Sequence, residues 1–320
     1  MEIAIFLYFF LKSLASHLKI VTFAAAFLGI CQIHKKPSEV FISINYCKMN
    51  KIVSKKMFSE KVACLEVEAP LIARSRKAGH FVIVRLDEKG ERIPLTIADA
   101  DIEKGTITLV VQAVGASSTR IIALEPGDML ADVVGPLGHA TDIQKFGTVI
   151  CCGGGVGVAP LLPIVKAMHQ AGNKVIVVLA ARTKDLIILE DEMRANSDEV
   201  IIMTDDGSYG QKGVITVGVE QVIQREKVDK VVCIGPTIMM KFVSLLTQKY
   251  NVSTVVSLNT IMVDGTGMCG ACRVTVGGKT KFVCVDGPEF DAAEVNFDEM
   301  MMRMRAYKAE ETEALACLNK

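Results

Sequence analysis

The chain has 320 residues, half of them apolar, so it can bury a sizeable core, and its length predicts two or three domains rather than a disordered or fibrous chain. Its 36 Lys and Arg balance its 36 Asp and Glu, which excludes the basic footprint of a nucleic-acid binder and gives no attraction to an acidic surface. Ten cysteines are too sparse for a disulfide scaffold, and a reducing, cytoplasmic compartment is expected.

Residues 1–48 read as an N-terminal extension, with apolar runs from Ile3 to Leu11 and from Ile20 to Cys31 separated by Lys12, His17 and Lys19. Neither run reaches the roughly 18 to 20 residues of a spanning helix, so a membrane is not an expected partner. Glu2 precedes the first run and no small-residue cleavage site follows, which argues against a signal peptide. Two readings stand: a non-native upstream start, with Met49-Asn50-Lys51 as the true beginning, or an interfacial anchor.

Residues 49–145 show short β-like runs at Lys61 to Ala69, His80 to Leu86, Thr106 to Ala113 and Met129 to Val134, punctuated by glycine and Pro-Gly turns. That succession predicts an antiparallel barrel. Over 146–258 the period changes. Strand-like runs at Thr148 to Cys152, Lys174 to Ala181, Glu199 to Thr204, Lys230 to Gly235 and Thr254 to Leu258 alternate with helical stretches, which predicts a doubly wound parallel sheet. Residues 259–290 are rich in glycine and cysteine, and 291–320 read as a charged, methionine-rich helical tail.

Gly153-Gly154-Gly155-Val156-Gly157 follows the first buried strand of the parallel sheet and opens a helix. Such a turn lets backbone N–H groups approach a pyrophosphate at a helix N-terminus. The alternative is a tight turn packed for its own sake. Gly235-Pro236 ends the fourth strand, where strand carboxyl ends open onto a ligand crevice, and the pair of features favours nucleotide binding.

Asp264, Cys269, Cys272 and Cys284 stand in the spacing D-x4-C-x2-C-x11-C. Plant-type 2Fe-2S loops run C-x4-C-x2-C with a distant fourth cysteine, so this segment has that spacing with aspartate in first place. A zinc site of three thiolates and one carboxylate is the rival reading. Asp264 reaches a ligand position on spacing, or serves as a loop-capping aspartate.

Taken in order, these pieces resemble the ferredoxin-NADP reductase superfamily over roughly Asn50 to Met304, most closely its branch of electron-transfer subunits. The resemblance implies an FAD-binding Greek-key barrel, a nucleotide domain and a small 2Fe-2S domain. Within Arg92-Ile93-Pro94-Leu95-Thr96 it implies that Arg92 meets the FAD phosphates and that the Thr96 hydroxyl lies near flavin N5; Arg92 stands one residue further from Thr96 than in many relatives, and a plain surface arginine is the alternative. Gln112 to Val114 resembles the strand along the flavin, and Gly115 with Ser117, Ser118 and Thr119 resembles the turn that caps the FAD pyrophosphate. Arg182 follows the second strand of the parallel sheet, where relatives meet the adenosine ribose. Asp205 matches a nearby stretch or is a solvated acidic turn. NAD(H) is expected, with NADP(H) as the alternative. Dihydroorotate dehydrogenase partner subunits carry cysteine where Asp264 stands, and the bifurcating type carries aspartate. The implied partner is a larger iron-sulfur flavoprotein subunit, with ferredoxin reached only indirectly.

Overall fold

The computed structural model describes residues 50–318; the two readings of residues 1–48 lie outside the described residues. Six antiparallel strands come first: β1 (Ile52–Ser59), β2 (Val62–Glu68), β3 (Phe81–Arg85), β4 (Arg92–Asp101), β5 (Thr106–Gln112) and β6 (Asp132–Leu137), in spatial order β1-β2-β5-β4-β3-β6. Three successive hairpin strands with β6 returned beside β3 make a Greek key. The segment before β6 closes the sheet on itself: Leu130 N–H donates to Asn50 O, and Ile52 N–H donates to Asp128 O. Closure removes the free edges that an open sheet exposes. Two helices flank this barrel, α1 (Pro70–Ser75) and α2 (Ala116–Ile122).

The sequence pattern omits β1. Its burial does not alternate, because irregularities at Ile52/Ser54 and Met57/Ser59 shift its pairing with β2 and break the period of two.

The second sheet is built from β7 (Thr148–Gly154), β8 (Lys174–Ala181), β9 (Glu199–Thr204), β10 (Gln211–Lys212), β11 (Lys230–Ile234) and β12 (Thr254–Ser257), all parallel, in order β10-β9-β8-β7-β11-β12. The order reverses direction between β7 and β11, which is where such sheets open a crevice for ligands. Helices α3 (Val158–Gln170), α4 (Glu190–Ala195), α5 (Ile215–Arg225) and α6 (Thr237–Lys249) cover its faces. The strands are recognisable in sequence because both faces are buried: Val149, Ile150, Cys151 and Cys152 are all fully inaccessible. Burial pushes the Cys151 thiol up to about 12 and raises that of Cys152 as well, so these two are inert core residues.

The remaining chain forms a hairpin, β13 (Arg273–Val276) with β14 (Lys279–Phe282), then the single turn α7 (Val283–Asp286). A last strand, β15 (Glu289–Asp291), returns antiparallel onto β12 and ties the cysteine segment to the parallel sheet, before α8 (Phe297–Arg303) and α9 (Lys308–Leu318). The expected glycine-rich loop therefore contains three short strands that composition hides.

At this return the Glu289 carboxylate accepts a hydrogen bond from the Thr141 hydroxyl beneath Gly79, joining the barrel, the linker and the returning strand. Burial pushes the Glu289 carboxyl above its ordinary value, with Asp142 adding to the rise while Thr141 and Lys230 oppose it. A carboxyl raised in the folded state stabilises fully below its unfolded value, about 4.3, and loses that contribution as pH rises through the folded value. Glu289→Gln keeps an oxygen for Thr141, so its melting temperature is expected to gain on the wild type between pH 5 and 8. Parallel melting curves across that range would remove the assignment.

Candidate functional site

One cavity of about 1890 Å³ runs along the junction of the barrel and the parallel sheet. From the barrel, Pro94, Leu95, Thr96 and Gln112 line it, with Phe81, which pairs with Thr96 across β3 and β4. From the parallel sheet come Gly154, Gly155, Val156 and Gly157 on one side of the crevice and Gly235 with Pro236 on the other. Arg182 and Asp205, at the ends of β8 and β9, form part of the same wall. Twelve residues scattered over 142 positions of sequence, from Pro94 to Pro236, thus converge on one space.

The glycines do different jobs. A Cβ on Gly153 would meet Leu161 and Val158, and Gly153 does not line the cavity. A Cβ on Gly154 or Gly235 would strike the Met239 thioether, at 2.3 Å from Sδ and 2.4 Å from Cε respectively. Gly155 alone in this turn is left-handed, at φ +56°, and has open space where a side chain would be. Gly153, Gly154 and Gly157 are thus closely packed, Gly154 and Gly157 while lining the cavity, and Gly155 leaves open space beside its backbone.

Six other expected residues lie outside the cavity lining. Arg92 donates from Nε to Val263 O at 2.9 Å and sits 3.8 Å from Asp132, which turns it toward the cysteine loop. It joins β4 to the segment before Asp264. Ser118 Oγ accepts from the amides of both Val114 and Gly115 at 3.0 Å, Ser117 bonds Glu91, and Thr119 Oγ1 donates to Gly115 O. That turn is braced internally, and Val114 is 74 % exposed.

Met239 and Met304 were not foreseen. Met239 falls in the first turn of α6, one turn past Gly235, where a long side chain folds back over the preceding loop. Met304 comes from the tail, with Sδ 3.4 Å from the Thr237 hydroxyl, and no local pattern signals it. Asn259 and Met262 also line the cavity, and Thr260 between them carries a buried hydroxyl with no partner among the described residues.

In the cysteine segment Gly265, Gly267 and Gly270 all take positive φ, which lets the loop double back on itself. The four expected ligands come as two pairs. Cys269 Sγ donates to Asp264 Oδ1 at 3.0 Å on the exposed side, and Cys272 Sγ lies 3.2 Å from Cys284 Sγ in the interior. Among the described residues no three His, Cys, Asp or Glu side chains converge as a single ion requires. Two separated pairs suit a binuclear cluster, in which each metal takes two protein ligands, better than one tetrahedral ion. Cys272 and Cys284 are 2 % and 1 % exposed, in a core with Val274, Val283 and Met300 from either side of the loop. Hydrogen bonds from Cys269 and then Thr266 hold the Asp264 carboxyl well below the usual range, so it is an anionic donor. Burial, then the Cys272 contact, pushes the Cys284 thiol up to about 12; bound metal would reverse that by taking the thiolate.

A closed antiparallel barrel, a parallel sheet sharing its cavity and a cysteine loop beyond define an oxidoreductase of the ferredoxin-reductase fold. Two domain families match within the chain: the oxidoreductase NAD-binding domain over residues 151–245, and the iron-sulfur cluster binding domain of dihydroorotate dehydrogenase B over residues 259–296. A protein of Thermotoga maritima described as a dihydroorotate dehydrogenase B (NAD(+)) electron transfer subunit homolog is 48% identical over 263 residues, covering 82% of this chain and 93% of its own. An uncharacterized protein in the adh 3′ region of Clostridium beijerinckii is 51% identical over 275 residues, covering 83% and 93%. A chain of the solved NADH-dependent reduced ferredoxin-NADP oxidoreductase, a structure concerned with flavin-based electron bifurcation, superposes with TM-score 0.82 at 45% identity, covering 85% of this chain and 98% of that one. The chain belongs to the family of dihydroorotate dehydrogenase B electron-transfer subunits and their homologues.

Proposed function

We propose that the chain is the small subunit of a two-subunit oxidoreductase, passing electrons between NAD(H), FAD and a 2Fe-2S cluster, to or from a larger iron-sulfur flavoprotein. The observation that carries this reading is the single cavity that joins Thr96 on the barrel to Gly155 on the parallel sheet. When bound, FAD exchanges hydride with the nicotinamide and single electrons with the cluster. The chain's own contribution is placement. Thr96 presents its hydroxyl to the flavin side, the Gly155 backbone receives the pyrophosphate, and Arg182 with Asp205 meets the adenosine end. Phe81 and Met239 keep the space between them apolar and exclude water.

The family match over 259–296 and the two-pair donor set both support a cluster over zinc. NAD(H) is supported by the relatives' NAD(+)- and NADH-dependent names. The division at 145/146, 258/259 and 290/291, the cytoplasmic setting and the ligand role of Asp264 belong to the same proposal; among the described residues no helix is long and apolar enough to cross a membrane. Aspartate at position 264 favours the ferredoxin-NADP oxidoreductase type over the dihydroorotate dehydrogenase type.

Anaerobically purified protein is expected to show a flavin spectrum with broad absorbance to longer wavelength, and about two irons and two acid-labile sulfides per chain. Zinc without iron, or a colourless protein, would overturn the reading. Because a carboxylate oxygen favours ferric iron more than a thiolate does, Asp264→Cys is expected to raise the cluster's midpoint potential in a redox titration. An unchanged potential would take Asp264 out of the ligand set.

A further inference from the structure

Strand β4 faces two ways. Ile97 is buried in the barrel core and Ala100 packs against that same core, two positions whose parity in a regular strand would place them on opposite faces. A bulge reconciles them: Ile97 pairs with Leu109 and Asp99 with Thr108, leaving Ala98 as the extra residue. Ala98 and Asp99 are thereby both turned outward, on the side that Thr96 presents to the cavity. Ala98 is buried beside Val158, Leu161 and Leu162 of α3 in a core that the barrel and the parallel sheet share.

Asp99 is held on both oxygens. Oδ1 accepts from Arg76 Nη2 at 3.0 Å and from the Ala100 amide at 2.9 Å, both within the barrel. Oδ2 accepts from Lys166 Nζ of α3 at 2.6 Å. Arg76 and Ala100 thus orient the carboxylate, and Lys166 alone carries the contact across to the parallel sheet. Thr96 lies three residues from Asp99 along a strand, about 10 Å. Gly157 lies nine residues from Lys166, about 13 Å of helix. The ion pair is linked by one rigid element to each face of the cavity.

We propose that Asp99, braced by Arg76 and paired with Lys166, is a positioning residue that sets how closely the nicotinamide-binding face approaches the flavin-binding face. The inference rests on the electron-transfer reading above. The three side chains keep between 18% and 39% of their exposure, so the pairs contribute little to folding and their effect falls on alignment. Alignment is where a small error matters, since about 1 Å of misplacement can slow a reaction on the order of 100-fold.

The test uses the full-length chain loaded with FAD, as wild type, Asp99→Asn, Lys166→Met, the double variant and Lys166→Arg. The readouts are the long-wavelength charge-transfer absorbance formed on mixing with NADH, the rapid-mixing rate of flavin reduction, and the FAD-to-protein ratio. Each single variant is expected to lose at least half of the charge-transfer absorbance and to slow flavin reduction about 10-fold, with FAD content unchanged. The double variant is expected to be no worse than either single, as for two residues acting through one contact, and Lys166→Arg to restore the band. A wild-type band in the single variants, additive effects in the double, or loss of FAD in parallel with loss of the band would overturn the assignment while leaving the electron-transfer reading in place. A wild-type chain that takes up no flavin overturns both.

Discussion

Alanine at Gly157 is expected to abolish NADH-dependent flavin reduction, or to raise the KM for NADH by a factor on the order of 100. An alanine Cβ there would lie 2.6 Å from Ile234 O, 2.8 Å from Gly235 Cα and 2.9 Å from Gly235 N. All three contacts are backbone, so no rotamer change relieves them. The turn after β7 and the turn after β11 would have to part, and they flank the point where the strand order reverses. Overpacking of this kind typically costs about 1–3 kcal/mol, and here the displaced atoms are the walls of the nucleotide crevice. Gly155→Ala supplies the contrast. Its Cβ meets nothing within 4 Å, and its penalty is the left-handed backbone, roughly 1–2 kcal/mol. Stopped-flow reduction of the flavin by NADH should therefore rank Gly157→Ala far below Gly155→Ala. The reverse order would mean that side-chain space at Gly155, and not the packing of the two turns, limits binding.

The parallel sheet was legible because a strand buried on both faces leaves a continuous apolar run, and here such runs alternate with helical stretches. Lys174–Ala181 and Glu199–Thr204 coincide with the expected strands to the residue. The barrel was less legible. β1 has broken alternation, and β4 mixes Arg92, Pro94, Asp99 and Asp101 with a bulge, so only the resemblance pointed to a strand there. The ligand spacing in the cysteine loop survives as a sequence signal because coordination fixes residue type and separation together. The burial of Cys272 and Cys284 does not, since their apolar neighbours come from β13, α7 and α8. The contact that Arg92 makes is hidden for a related reason. A motif gives the strand a side chain belongs to, whereas its partner, the Val263 carbonyl, lies 171 positions away.

Alanine in place of Cys272 is expected to strip the chain of iron, from about two atoms to near zero, while FAD and its reduction by NADH persist. The separation follows from the architecture. Cys272 pairs with Cys284 within the hairpin and α7 segment, and neither cysteine lines the cavity between barrel and parallel sheet. The small truncation removes one thiol from a well-packed site beside Val274 and Val283, so the fold around it should hold. Passage of electrons to the larger partner subunit should stop, because flavin chemistry alone would remain. Iron and sulfide content, the visible spectrum and NADH reduction of the bound flavin, read on the same preparation, decide the outcome. Retained iron with an unaltered long-wavelength spectrum would exclude Cys272 as a ligand. Loss of flavin together with iron would show that the cysteine segment is needed to assemble the cavity as well, and that β15, through its pairing with β12, couples the two sites more tightly than their separate linings suggest.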